Sequence, residues 1–479
     1  MAEFWGRDSE VAALRRDLEE VRRSGRGRML AIRGRRQSGK SRLVTEFLEA
    51  ERVPYLFTTA IKGAPPEMQL AAVMQDLEQA KTPLPAGENA FAAPAGTWED
   101  LFARLPVAFD RREAVVVIDE FPWATETDPT LEGVLQRVWD RTFERLPVLL
   151  ILIGSDMAMM EQLTAYDRPL YGRAVERVLR PLSPSGVAEA LGDDRSPLEL
   201  LDAYLVTGGY PRLVTEAARF RSTRRFVRTQ FADDSSPLLV VGQRVVTSEF
   251  SDSAAARTVL EAIGSVEVGP ATFSETVARL GGGDTTTVGT RVTRALETLQ
   301  TKRLVSIETP VGSRNSKLRR YRIADPYLRF WLRFCAPELA NIERGRMDLA
   351  VDRFDRGFES WRGRSIEPVV QEAVSRLAAT GSGRFADLET VGSWWDRKGD
   401  HEFDIVAADR NGRVGWVGSI KWRAGRRMSR SDADALARAR AVVPRAEAAQ
   451  LLAVCPAGAD PHAGFDDVLD ASDILDAYR

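Results

Sequence analysis

The 479 residues carry 67 Lys and Arg against 69 Asp and Glu, a formal net charge of −2, and 44% of them are hydrophobic. A chain of this length does not fold around one core, and ordinary domain sizes predict about three domains. Two cysteines (Cys335, Cys455) and two histidines (His401, His462) exclude a disulfide framework and a cysteine- or histidine-rich zinc site, so any metal should have oxygen ligands.

No apolar run reaches the eighteen or so residues that span a bilayer, and Met1-Ala2-Glu3-Phe4-Trp5 lacks the basic-then-apolar start of a signal peptide. The expectation is a cytoplasmic protein without membrane contact. Arginine greatly outnumbers lysine, which genomic base composition explains as readily as function. The distribution of charge along the chain therefore carries more than its sum.

Val11, Leu14, Leu18 and Val21 recur at helical spacing, with Asp8 or Ser9 able to cap the helix and Gly25 and Gly27 to end it. An apolar strand, Met29 to Ile32, then leads into Gly34-Arg35-Arg36-Gln37-Ser38-Gly39-Lys40-Ser41, which matches GxxxxGK[ST]. In such a loop the glycines permit a tight turn whose N–H groups face phosphate oxygens, and the following helix, with Arg42 in its first turn, adds its positive end. Lys40 would reach the β- and γ-phosphates of ATP, and Ser41 would place its hydroxyl on Mg²⁺.

A second strand is predicted over Pro54 to Thr59 and a helix over Met68 to Leu77. The Pro-, Ala- and Gly-rich stretch from Lys81 to Gly96 reads as a surface loop. Thr97 and Asp100 form a capping pattern for a helix carrying Leu101, Leu105 and Phe109. Ala114 to Ile118 is an apolar run closed by Asp119-Glu120, as in a buried parallel strand whose C-terminal end faces a site. Asp119 would hold Mg²⁺ through water, and Glu120 would orient and polarise the water that attacks the γ-phosphate.

Another buried strand, Val148 to Ile153, ends in Gly154-Ser155-Asp156. Ser155 is a candidate sensor of the γ-phosphate, or an ordinary strand-ending cap. Arg173 precedes a fifth strand, Val175 to Leu182. It is a candidate arginine finger for a neighbour's nucleotide, or a surface salt-bridging arginine.

These stretches resemble the archaeal-type ATPase family, P-loop proteins related to AAA+ and STAND ATPases. The resemblance rests on Phe4-x-Gly6-Arg7, Gly34 to Ser41, Ile118-Asp119-Glu120, Gly154-Ser155, Gly172-Arg173 and Gly208-Gly209-Tyr210-Pro211-Arg212. It implies a five-stranded parallel sheet with one strand between the phosphate-loop and metal strands. It also implies adenine contact by Phe4, Gly6 and Arg7, and a Gly-Gly-x-Pro turn with Pro211 in a helical lid near the adenine. A plain helix–helix connection accounts for that turn equally well.

From about Ser183 to Phe250 short helices suit a lid. From Ala254 to Asp325 three helix signals, the second closed by Gly281-Gly282-Gly283, precede two strands around a turn, which is the layout of a winged helix. This stretch holds eleven Lys and Arg against seven Asp and Glu. Arg291 and Arg294 on the third helix, and Arg314, Lys317, Arg319 and Arg320 on the wing, are candidate contacts to DNA phosphates; a protein-binding winged helix is the alternative. Tyr321-x-Ile323-x-Asp325-Pro326 through Phe330-Trp331 again resembles the family, its aromatics reading as interdomain core.

In the last part, a helix with Glu367, an acid, Asp404, at the start of a strand, and a strand ending in Lys421 resemble the PD-(D/E)XK nuclease core. Active members need an acid two positions before the lysine, and here it is Ser419, a poor substitute on a hard cation. Even with Glu402 nearby, the expectation is a degenerate domain used for binding or assembly.

The chain is thus expected to be α/β. A P-loop core over 1–182 leads to a helical lid over 183–250, a winged helix over 251–335, and a bridge with a restriction-endonuclease-like domain over 336–479. The leading functional expectation is an ATP-hydrolysing, DNA-binding protein, possible as a homo-oligomer, whose nucleotide state controls its C-terminal domains. The alternatives are a STAND-like switch binding protein partners and an active ATP-dependent nuclease.

Overall fold

The computed structural model describes residues 4–249, 254–265, 269–281, 285–381 and 383–479. Two compact units divide the chain, Met1–Pro181 and Leu182–Arg479.

The first unit is built on β1 (Arg28–Arg33), β2 (Tyr55–Thr59), β3 (Ala114–Asp119), β4 (Val148–Gly154) and β5 (Ala174–Val178). They form one parallel sheet in the order β2-β3-β4-β1-β5. β4 therefore lies between the strand leading into the phosphate loop and the strand ending in Asp119. Alternate strand residues feed two cores. Leu30, Ile32, Val115, Val117, Leu149 and Ile151 pack with α1 (Asp8–Ser24) and α2 (Lys40–Glu51). Met29, Ala31, Val116, Ile118, Leu150 and Leu152 face the opposite layer. That layer contains α3 (Pro66–Gln79), α4 (Gly87–Ala90), α5 (Trp98–Phe109), α6 (Phe121–Thr127), α7 (Leu131–Arg141) and α8 (Met157–Leu163). Cover on both faces is why β3 and β4 read as unbroken apolar runs.

Three local expectations change. α1 begins at Asp8 with Arg7 at its N-cap and no side-chain cap, so Asp8 and Ser9 lie within the first turn. The Lys81–Gly96 stretch is no bare surface loop: it forms α4 and buries Leu84 and Ala95 in the α-helical layer's core. The fifth strand stops at Val178 and is an edge strand with Val175 and Val178 exposed, because only β1 pairs with it.

The second unit opens with α9 (Pro184–Leu191), α10 (Pro197–Thr207), α11 (Pro211–Ala218), α12 (Thr223–Phe231) and α13 (Pro237–Glu249). Then come α14 (Ala254–Gly264), β6 (Ala271–Thr272), α15 (Phe273–Leu280), α16 (Thr285–Thr301), β7 (Val305–Glu308) and β8 (Arg320–Ile323), with an antiparallel sheet ordered β6-β8-β7. Phe250, Gly282 and Gly283 lie outside the described residues. α17 (Pro326–Phe330), a π turn at Trp331–Cys335, α18 (Leu339–Glu343) and α19 (Met347–Ser365) form the bridge. Its core is a cluster of Phe330, Phe334, Phe354, Phe358 and Trp361 rings, mostly edge to face.

The chain ends in α20 (Glu367–Ala379), β9 (Thr390–Trp395), β10 (Glu402–Ala408), β11 (Val414–Ile420), α21 (Arg430–Ala439), β12 (Gln450–Val454), β13 (Asp467–Leu469) and α22 (Ala471–Asp476). β9, β10 and β11 form an antiparallel meander, while β12 and β13 add parallel to β11. Up to β12 the order is helix, three strands, helix, strand.

Candidate functional site

The sheet register of the first unit assembles one site at its C-terminal edge. Arg33 at the end of β1 pairs with Gly154 at the end of β4, and Ile118 in β3 pairs with Leu152. Gly34, Ser155 and Asp119-Glu120 are therefore neighbours although up to 121 positions separate them in sequence. Gly34 is required sterically: a Cβ there would stand 2.3 Å from the Leu179 carbonyl oxygen. Gly39 and Gln37 have φ of 91° and 65°, the left-handed conformations that fold the loop back over the start of α2.

Lys40 is buried, and its Nζ donates to the Gly34 carbonyl at 2.7 Å and the Arg35 carbonyl at 3.1 Å. Burial pushes its pKa down to about 8, against the raising effect of Glu120 and Asp119. Ser41 Oγ donates to Asp119 Oδ2 at 2.5 Å, and the other oxygen of Asp119 accepts the Glu120 N–H at 2.9 Å. A hydroxyl and a carboxylate held together form an oxygen-only set that suits a hard divalent cation.

Glu120 has φ 52°, unusual for a residue with a Cβ, and stands at the N-cap of α6 in that conformation with its side chain turned away from capping. Its Oε2 accepts from Ser155 N at 3.2 Å and Ser155 Oγ at 2.9 Å. Ser155 is thus more than a strand-ending cap: it holds the Glu120 carboxylate. Arg36 lies 5.5 Å over the Trp123 ring, and Arg42 pairs with Glu46 on its own helix. The Ser38 hydroxyl and Gln37 Oε1 are buried without partners, polar atoms available to a ligand of the loop.

Two residues stand elsewhere than expected. Arg7 is buried with its guanidinium bonded to the Ser38 and Arg180 carbonyls at 3.0 and 2.7 Å and to Glu10 at 2.8 Å. It clamps the loop to the chain leaving β5, and its donors are spent on that task rather than on a base. Phe4 packs against the α1–α2 core. A cleft of about 330 Å³ opens nearby, with Leu14, Ile32, Leu43 and Leu179 among its walls. Arg173 precedes Ala174, which pairs with Met29, so it stands at the edge of the sheet opposite Gly34. There it makes a bidentate pair with Asp140, both bonds 2.8 Å. The geometry removes it from this chain's own phosphate loop.

In the second unit, the Gly208-Gly209-Tyr210-Pro211 turn packs against the Asp325-Pro326-Tyr327 stretch. A Cβ on Gly208 would stand 2.6 Å from Tyr327 Cβ, and one on Gly209 2.0 Å from the Leu182 oxygen. Pro211 itself starts α11 in its first turn.

Arg291 and Arg294 are exposed on one face of α16, and Arg314, Lys317 and Arg319 are exposed in the β7–β8 connection. Arg320 is a correction to the expected phosphate contacts: it stacks 4.2 Å over Trp395 and pairs with Glu402 at 3.1 Å. The β7–β8 connection is docked on β9, where Val311 N donates to the Ser393 oxygen at 3.0 Å and Trp395 Nε1 to the Leu318 oxygen at 3.2 Å. Arg320 faces that junction rather than solvent because β8 carries it inward.

Glu367, Glu402, Asp404, Ser419 and Lys421 do converge at the edges of α20, β10 and β11. Asp404 Oδ2 accepts from Ile420 N at 2.7 Å and Ser419 Oγ at 3.2 Å. Glu367 is buried and pairs with Arg322 at 2.9 Å and Arg364 at 3.0 Å. The sequence marks neither arginine: Arg364 stands at the end of α19, three residues before Glu367 opens α20, and Arg322 lies 45 positions away. Among the described residues no group of three or more potential ligands is arranged to hold a metal ion.

A family described as AAA ATPase domain matches residues 3–151, and one described as archaea bacterial proteins of unknown function matches residues 331–435. A protein of Methanocaldococcus jannaschii described as uncharacterized is 26% identical over 428 residues, 88% of each chain. A Walker-type ATPase of Pyrococcus abyssi aligns at 19% identity and TM-score 0.47, covering 69% of this chain and 96% of its own. The Aeropyrum pernix ORC2 protein with ADPNP and ADP aligns at 14% identity and TM-score 0.43, covering 73% and 95%. The AAA ATPase domain match and the loop geometry together make this chain an ATPase. Among the described residues no helix is long and apolar enough to cross a membrane.

Proposed function

We propose that this ATPase binds DNA and that its nucleotide state controls the winged-helix and nuclease-like domains. The observation that carries the hydrolytic part is the convergence of Lys40, Ser41, Asp119, Glu120 and Ser155 at one sheet edge. In this reading the loop N–H groups and Lys40 bind the phosphates of ATP, Ser41 and Asp119 would hold Mg²⁺, and Glu120 orients the attacking water. Mg²⁺, when bound, supplies charge neutralisation at the β- and γ-oxygens. Ser155 positions Glu120 and links its carboxylate to the phosphate end of the site. A role for Arg173 then belongs to the nucleotide of a second copy in a homo-oligomer.

The DNA-binding part is supported by the helix–strand–helix–helix–strand–strand order over 254–323 and by the exposed pair Arg291 and Arg294 on α16. The αβββαβ order over 367–454, with Glu367, Asp404 and Lys421 converging, supports a degenerate nuclease-like domain. A second reading, a nucleotide switch that binds protein partners, is favoured by the docked wing, which withdraws Arg320 from solvent.

ATPase rates with and without duplex DNA, together with DNA affinity across salt concentrations, separate the two. DNA-stimulated turnover and a salt-dependent affinity support the first. A rate and a mobility unaffected by DNA would sink it.

A further inference from the structure

Four carboxylates meet where the wing, α19, α20 and β10 come together: Glu308, Glu367, Glu402 and Asp404. Each is opposed by a cation of the chain itself. Arg322 bonds Glu308 and Glu367, Arg320 bonds Glu402, and Lys421 acts electrostatically on Asp404. Arg364 stands among three of the acids, its Nη1 at 3.0 Å from Glu367, 3.6 Å from Glu402 and 3.8 Å from Asp404. The Arg364 guanidinium is thus the positive charge that these three carboxylates share. The fourth potential ligand, Ser419, instead donates its hydroxyl to Asp404.

The neutralised cluster borders a strongly basic stretch. Lys421, Arg426, Arg427 and Arg430 are exposed within ten residues, directly after β11. The Arg364 side chain is 38% exposed, and all three of its approaches to the acids are made by Nη1. The remaining N–H groups of a planar guanidinium can take two phosphate oxygens at once.

We propose that Arg364 stands in for the catalytic cation of a nuclease, making the acid cluster a phosphodiester-binding site that needs no metal and cuts nothing. The guanidinium would meet a backbone phosphate where a metal ion otherwise would, with Lys421 beside it and Arg426, Arg427 and Arg430 following the strand. Without an acid at Ser419 and with the others paired to arginines, nothing at the site generates a hydroxide. This inference rests on the proposed DNA-binding reading and adds a second contact surface to it.

The test is fluorescence anisotropy of labelled duplex and single-stranded DNA on the full chain, in EDTA and in Mg²⁺ at matched ionic strength. Equal affinity in the two buffers is expected, with no cleavage products in Mg²⁺ or Mn²⁺. Arg364→Ala should weaken binding about tenfold and lower the slope of log affinity against log salt by about one, while Arg364→Lys retains most of that slope. Arg426→Ala with Arg427→Ala should lower the slope by about two without disturbing the acid cluster, which keeps the test decisive if Arg364→Ala fails to fold.

Binding that vanishes in EDTA, or cleavage lost in Asp404→Ala, would overturn the proposal. So would an unchanged salt slope in both the Arg364→Ala and the Arg426/Arg427 variants. In the last case, loss of binding in Arg291→Ala with Arg294→Ala would leave the winged-helix reading standing. Absence of DNA binding by the unmodified chain would end both.

Discussion

The Tyr210 hydroxyl donates to Asp325 Oδ2 at 2.6 Å, joining two buried side chains 115 positions apart. The rings of Tyr210 and Tyr327 meet at 5.5 Å, and Tyr327 Oη in turn donates to the Leu238 carbonyl at 2.8 Å. Asp325 Oδ1 caps α17 through Leu328 N at 3.0 Å. The turn after α10 and the segment after β8 are thereby one joint, which couples the helices α9 to α13 to the segment from α14 to β8. Tyr210→Phe removes a hydrogen bond to a buried carboxylate and is expected to cost about 1.5–3 kcal/mol of stability, read from urea unfolding. An unchanged midpoint would show that the joint is not energetically significant.

Lys40→Ala should abolish ATP turnover, and Glu120→Gln should retain ATP binding while slowing hydrolysis by about a hundredfold or more. Ser155→Ala should lower the maximal rate with little change in ATP affinity, because it releases Glu120 without touching the loop. Steady-state rates alongside equilibrium nucleotide binding distinguish the three. Ordinary turnover in Glu120→Gln would remove it from the mechanism.

The depressed pKa of Lys40, about 8, gives nucleotide binding a pH dependence. Phosphates favour the charged amine and raise its pKa on binding, so binding takes up a proton where the free site is neutral. Affinity for ATP should hold below pH 8 and fall as pH rises beyond it. Calorimetry at pH 9 in buffers of different ionisation enthalpy should report that proton uptake. Proton release, or none at all, would contradict the assignment.

Gly34→Ala places a methyl 2.3 Å from the Leu179 oxygen, a backbone atom that cannot swing aside. A loss of about 2 kcal/mol or more is expected, accompanied by weaker nucleotide binding. Gly96→Ala is the matched control, since nothing lies within 4 Å of its added Cβ. Its stability should change by no more than about 0.5 kcal/mol.

Arg291→Ala with Arg294→Ala should reduce DNA affinity and its salt slope by about two, while leaving ATP hydrolysis without DNA unchanged. Arg320→Ala should instead lower stability, because its guanidinium bonds Glu402 and stacks on Trp395. A reversed pattern would place the β7–β8 hairpin, rather than α16, on the DNA.

By itself the sequence determined the phosphate loop, the apolar strands β3 and β4 and the acids that end β3, because short-range spacing and double-sided burial leave direct patterns in the residues. It also marked Glu367, Asp404, Ser419 and Lys421, whose residue types carry the absence of an acid plainly. Only the tertiary structure decided what the arginines do. Arg7, Arg173, Arg320, Arg322 and Arg364 look alike in a string, but each is assigned by carbonyls, carboxylates or rings brought from distant segments. A long, permanently charged side chain takes its role from whatever the fold places within its reach, and the sequence does not display that distance.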